Sequence, residues 1–237
     1  MVTRILAPVR IPRPEFITGG CVLELKMDEG EGVVVHDSSG YGNHGDLKPG
    51  PAPNYPTWVD GKFGKALSFD GVDDYIVSAS AISISGTGLR TLEFWSYVNA
   101  ITVHPHLVGW GDQTALNTMF KAAIYSPTEG SGTWFLWGRG GGNDWDTQVA
   151  VVVGEWLHHT ITYDGTTAEW FMNGVSKGTF THSYNTTATT LEMGLGTTEG
   201  NPFKGLIDEV RIYNRALTAE EIKAHWLGSR VPKVRQL

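Results

Sequence analysis

Short apolar and polar alternating runs, each closed by a turn pair after a handful of residues, constrain this chain more than any other feature of its sequence. In "TYDGTTAEWFMNGVSKGTF" (162–180), Asp164-Gly165 and Asn173-Gly174 separate alternating runs. Such pairs tolerate the positive φ of tight hairpins, so the stretch predicts a meander of antiparallel strands. The same period of two appears in "CVLELKM", where Leu23, Leu25 and Met27 alternate with Glu24 and Lys26. Further strand candidates are "KALSF", "DYIVS", "TLEFWSYV", "HLVGW", "MFKAAIY", "TWFLW", "QVAVVV", "WLHHTITY", "TAEWFMN", "TLEMGLG" and "LIDEVRIY". One stretch reads as helix: Thr218 can cap it, Glu221 three residues on completes a capping box, and Gly228 is placed to end it.

Many short antiparallel strands without helices between them imply two packed sheets, hence an all-β sandwich with one short C-terminal helix. Such sandwiches join their first and last strands near one edge. The strands starting at Cys21 and Leu206 are therefore expected as neighbours, with Asp28 close to Asp208. Two carboxylates in close company need a cation or a proton to coexist.

Pro8, Pro12 and Pro14 make residues 1–20 an extended arm, leaving 21–227 as the folded body and 228–237 as a basic tail. The net charge is -7; Met1–Phe16 contribute +2 and Gly228–Leu237 contribute +3, so the body carries -12. An acidic body lacks the concentrated basic face that a phosphate backbone needs, which excludes nucleic acid as a partner. The basic ends read instead as extensions that dock on other protein subunits. There is no apolar run of 18 residues to insert in a membrane and no visible export signal. Cys21 is the only cysteine, so neither an intrachain disulfide nor a thiolate zinc cluster can form.

Five blocks, "MDEGEGVVVHDSSGYGNHG", "GKFGKALSFDGVDDYI", "LEFWSYV", "VVGEWLHHTITYDGTTAEWFMNG" and "FKGLIDEVRIYNRALTAEEI", resemble the ordered signature blocks of the laminin-G-like, concanavalin A-like lectin/glucanase jelly-roll family. Together they cover roughly Cys21 to Leu227, and only the stretch from Asn99 to Asp146 departs from the pattern. The resemblance implies a two-sheet antiparallel jelly roll, often stabilised by one calcium ion and used to bind carbohydrate or protein. The ligands it implies here are Asp28, Asp37, Asn43 and Asp208, since calcium takes six to eight oxygens. The alternative for Asp37 and Asn43 is that they only form Asx turns.

Catalytic signatures are few. Jelly-roll glycoside hydrolases flank the sugar bond with two carboxylates about 5 to 9 Å apart. Their compact Glu-x-Asp-x-Glu strand is absent; Glu93 and Glu169 sit on strands beside tryptophan and read as solvent-facing residues. His158 and His159 are adjacent and point to opposite faces of a strand, whereas His104 and His106 share one. Neither an H-E-x-x-H zinc motif nor a G-x-S-x-G elbow occurs, and "GRGGGND" lacks the lysine and helix of a phosphate loop. Asn185-Thr186-Thr187 is a glycosylation sequon that reads as a turn. Trp95 and Trp156 are expected in the core. Trp110, Trp134, Trp137 and Trp145, alongside Asp112, Arg139, Asn143 and Asp144, flank the variable stretch. There the rings could stack on sugar faces while polar groups bond hydroxyls, or they could pack under long loops.

Three functions follow as expectations. The first is a non-catalytic structural protein, an assembly or decoration component of a virus (phage) particle, docked through its arm and tail and displayed on the virion surface or outside the cell. The second is a calcium-dependent carbohydrate-binding module or lectin recognising surface glycans. The third is a glycoside hydrolase acting through Glu93 and Glu169.

Overall fold

The computed structural model describes residues 19–48, 55–140, 142–195 and 201–228. The arm and tail expected at the two ends lie outside these residues, apart from Gly19, Gly20 and Gly228. In chain order the strands are β1 (Cys21–Leu25), β2 (Val34–Val35), β3 (Gly45–Lys48), β4 (Thr57–Asp60), β5 (Lys65–Asp70), β6 (Tyr75–Ala81), β7 (Arg90–Ala100) and β8 (His106–Gly111). They continue with β9 (Met119–Tyr125), β10 (Thr133–Trp137), β11 (Trp145–Ala150), β12 (Trp156–Tyr163), β13 (Thr167–Met172), β14 (Val175–Thr181), β15 (Thr190–Met193) and β16 (Lys204–Tyr213), followed by helix α1 (Ala219–Leu227).

Two antiparallel sheets form the sandwich. The first runs β14-β13-β12-β7-β16-β5-β4, with β1 also on β16; the second runs β11-β10-β9-β8-β15-β6-β3-β2. The ends of the body do pair: Cys21 lies opposite Tyr213 and Leu25 opposite Val210. The first half of β16 is flanked by β5 and the second half by β1, and both halves pair with β7. A register break between Asp208 and Arg211 separates the halves. Glu209 there has φ 54°, a left-handed conformation that a buried non-glycine residue adopts only when its surroundings enforce it.

The turn chemistry works as the sequence predicts. Asp164 Oδ1 accepts from the backbone of Thr166 and Thr167 between β12 and β13, while Asn173 (φ 50°) and Gly174 (φ 70°) turn β13 into β14. Thr218 and Glu221 form the capping box of α1, and Gly228 closes it at φ 62°. One apolar core lies between the sheets, with Leu92, Phe94, Phe120, Ile124, Trp134, Ile161 and Trp170 among its members. A smaller cluster of Phe171, Tyr213, Leu217 and Ile222 seats α1 on the outside of the first sheet.

Candidate functional site

Strand parity decides what the second sheet offers to solvent. On β9, Phe120, Ala122 and Ile124 enter the core, so Lys121, Ala123 and Tyr125 point outward. On β10, Trp134 and Leu136 enter the core, so Phe135 and Trp137 point outward. Cross-strand pairing then aligns one outward row over four strands: Glu192 on β15, Gly109 on β8, Lys121 on β9 and Trp137 on β10. Lys121 and Ala123 are outward yet almost solvent-free, so the middle of the row is covered and only its ends, Glu192 and Trp137, are partly exposed. Gly109 lets β8 and β9 approach closely, because a Cβ there would come within 2.3 Å of the Lys121 Cα.

Two kinds of surface meet along this row. At one end Lys121 Nζ and Gln113 Nε2 donate to the same Glu192 oxygen, at 2.6 Å and 2.8 Å. Beside them opens a depression of about 250 Å³, walled by Gly111, Asp112, Gln113, Thr114, Thr187, Thr189 and Glu192. At the other end the Trp137 ring meets His106 edge-on at 4.7 Å and Phe135 at 5.9 Å, and Phe135 stacks on Tyr125 at 5.5 Å. His106 is buried with neither ring nitrogen hydrogen-bonded. Burial, then the charges of Lys121, His104 and Arg139, push its pKa well below the ordinary value, so the ring is neutral.

The tryptophans expected to line a ligand site divide accordingly. Trp110 and Trp134 are wholly buried and are corrected to core residues. Trp110 donates to the Ile84 carbonyl at 3.1 Å, and Trp134 packs on His159 at 4.3 Å between ring centroids. Trp134 and Trp137 are three apart, an odd spacing that sends them to opposite faces of one strand. Trp145 is half-buried opposite Leu136 on the core side and stacks on Phe180 with the rings 10° from parallel, closing the sandwich edge where β11 meets β14. Only Trp137 faces outward.

Arg139 and Asn143 belong to the turn between β10 and β11. Asn143 Nδ2 donates to the Arg139 carbonyl at 2.9 Å, and Asp144 Oδ1 accepts from the backbone of Gly138 and Arg139. Arg139 also acts electrostatically on Asp112, whose pKa is lowered first by hydrogen bonds from Thr114 and then by this guanidinium. His104 shares the aromatic end, its ring 5.0 Å from Tyr125.

The four expected calcium ligands lie in two places. Asp28 and Asp208 do approach a common point, accepting from the backbone N–H groups of Lys65 and Phe63, each at 3.0 Å. Asp37 and Asn43 instead tie their loop to β1. The Asp37 carboxylate accepts from the backbone of Glu24, Ser39 and Asn43 and from the Ser39 hydroxyl, while the Asn43 amide donates to the Val22 carbonyl. Four protein donors already occupy the Asp37 oxygens, the arrangement of an Asx turn rather than of a cation cage. Asp37 and Asn43 thus each have hydrogen-bond partners within the loop and β1. Among the described residues the acidic side chains that do converge are Asp70, Asp73 and Asp74, with oxygens within 4.8 Å of one another.

Glu93 is corrected from a solvent-facing residue to a wholly buried one. Its carboxylate accepts from His158 Nε2 at 2.7 Å and from His225 Nδ1 at 2.9 Å. Burial alone would raise its pKa; the two histidines outweigh burial and hold it far below the usual carboxylate range. His225 comes from α1, which roofs this face, so no pattern within β7 could reveal the burial. Arg211 lies opposite Glu93 and pairs with Glu24 and Glu209. Glu169 lies on β13, where it accepts from Ser176. Sealed in this way, Glu93 does not reach a glycosidic bond. His158 and His159 do part to opposite faces, the latter facing Ser96, 3.0 Å away, and Trp134.

No helix among the described residues is long and apolar enough to cross a membrane. A search of curated proteins found no match. Among solved structures, domain 4 of AbnA, an extracellular GH43 arabinanase from Geobacillus stearothermophilus in complex with arabinotriose, superposes with TM-score 0.67 at 23% identity, covering 86% of this chain and 96% of that one. The binding domain of Paraclostridial mosquitocidal protein 1 gives TM-score 0.64 at 17% identity, covering 87% of this chain and 52% of that one. The botulinum neurotoxin serotype D ligand-binding domain in complex with N-acetylneuraminic acid gives 0.62 at 15% identity, covering 90% and 52%. The chain thus spans about half the length of the toxin domains, and at these identities the likeness shows the fold alone. At the level of sequence, residues 70–223 match the description "Concanavalin A-like lectin/glucanases superfamily". With both sheets and that match in agreement, the chain belongs to the concanavalin A-like lectin/glucanases superfamily.

Proposed function

We propose that this chain is a non-catalytic glycan-binding module whose ligand lies on the outward face of the second sheet. The carrying observation is the row Glu192, Gly109, Lys121 and Trp137, whose partly exposed ends place a tryptophan ring and a hydrogen-bonding polar cluster on the same outward face. Sugars present both an apolar C–H face and hydroxyls, so a site for them needs a flat ring beside paired donors and acceptors. That neighbouring folds were solved with arabinotriose and with N-acetylneuraminic acid is consistent with this reading. The non-catalytic part rests on the sealing of Glu93, and no step of binding runs through calcium. The particle-assembly role expected from the arm (1–20) and tail (228–237) rests on segments that, apart from Gly19, Gly20 and Gly228, lie outside the described residues.

The test is titration of the full chain against an immobilised oligosaccharide panel, with Trp137→Ala as control. Losing the ring's stacking surface costs about 2 kcal/mol, roughly a thirtyfold rise in Kd. Glycan binding that Trp137→Ala leaves unchanged would exclude this face as the site.

A further inference from the structure

We infer that the interior of the sandwich holds a small monovalent anion, chloride, between Arg90, Tyr184 and Thr186. Arg90 opens β7 opposite Tyr163 on β12 and is wholly buried. Its guanidinium lies over the rings of Tyr163, Phe120 and Trp110, at 5.0, 5.2 and 5.9 Å from their centroids. Nε donates to the Gly88 carbonyl at 2.8 Å and Nη2 to the Gly86 carbonyl at 2.6 Å, whereas Nη1 has no hydrogen-bond partner among the described residues. Two buried hydroxyls share that lack, those of Tyr184 and Thr186. All three groups border one place. The Thr186 N–H donates at 3.3 Å to the same Gly86 carbonyl that Nη2 holds. The Tyr184 ring packs on Tyr163 at 5.3 Å and on Phe120 at 5.5 Å, two of the rings that the guanidinium covers.

Charge decides what such a place takes. Burial lowers the Arg90 pKa only to about 10, so the guanidinium is charged at neutral pH. No carboxylate among the described residues forms an ion pair with it. Burial raises the pKa of both Tyr184 and Tyr163, so neither supplies a phenolate. The ring faces and two carbonyls offset part of the cost of a buried cation but leave its net charge in place. Nη1 can only donate, and both hydroxyls have a proton to give. Three donors around a cation without a carboxylate suit an anion. A water molecule would satisfy the same hydrogen bonds and leave the charge uncompensated. Because the donors are sealed from solvent, a bare halide suits them better than sulfate or a carboxylate.

The test is urea unfolding of the full chain, refolded in chloride or in gluconate at constant ionic strength, together with a crystal structure of protein refolded in bromide. The folding equilibrium constant is expected to grow about tenfold for each tenfold rise in chloride above its dissociation constant, with no such rise in gluconate or sulfate. Anomalous density for bromide is expected in contact with Arg90 Nη1. Tyr184→Phe keeps the ring and removes one donor, so it should fold and respond less to chloride. Stability indifferent to chloride, or an ordered water in place of bromide at Nη1, would overturn the inference.

Discussion

Replacing Glu93 by Gln tests whether the buried ionic cluster beneath α1 holds the helix to the first sheet. The wild-type carboxylate accepts one hydrogen bond from each of His158 and His225 inside a solvent-free site. Hydrogen bonds to a charged group contribute about 1.5 to 3 kcal/mol each, roughly twice a neutral bond. An amide keeps one acceptor of neutral strength and points its NH2 donors toward a histidine N–H. The substitution should therefore cost about 3 kcal/mol, which for a chain of this size lowers Tm by about 6 to 12 °C. The pH dependence has a definite sign. The folded-state pKa of Glu93 lies below its ordinary value of 4.5, so its contribution is present above that pH and is lost as pH falls through the folded pKa. Urea melts of both proteins at pH 7 and pH 3 should show a gap that narrows on acidification. A gap below about 0.5 kcal/mol at pH 7, the usual range of inconsequential surface changes, would refute the reasoning.

Other substitutions separate scaffold from site. Trp110→Ala and Trp134→Ala should each destabilise the fold by about 3 to 5 kcal/mol in denaturant melts, whereas Trp137→Ala should cost far less stability while weakening glycan binding. Asp37→Ala removes the acceptor for four donors and should cost about 2 to 3 kcal/mol, undiminished by added calcium; recovery of stability with calcium would restore Asp37 as a ligand.

What the sequence disclosed was local or strictly periodic. The Asp-Gly and Asn-Gly turns, the capping box at Thr218 and the neighbouring ends of the body follow from short-range chemistry and from how sandwiches close. Short strands such as β2 (Val34–Val35) and β3 (Gly45–Lys48) carry too few residues to show a period. The sides taken by Trp134 and Trp137 depend on where β10 begins, since a shift of one residue exchanges its faces. The burial of Glu93 depends on His225, 132 residues away on a helix packed over its strand. Lys121 and Glu192 carry no such signal, because the row they share exists only after β15 inserts beside β8. His104 and His106 sharing a face was the one available hint.

The most direct measurement is a crystal structure of the full chain soaked with an oligosaccharide that it binds. The account predicts sugar density on the outward face of the second sheet, with one ring against Trp137. Density on the outside of the first sheet, or in loops remote from the Glu192 to Trp137 row, would contradict it.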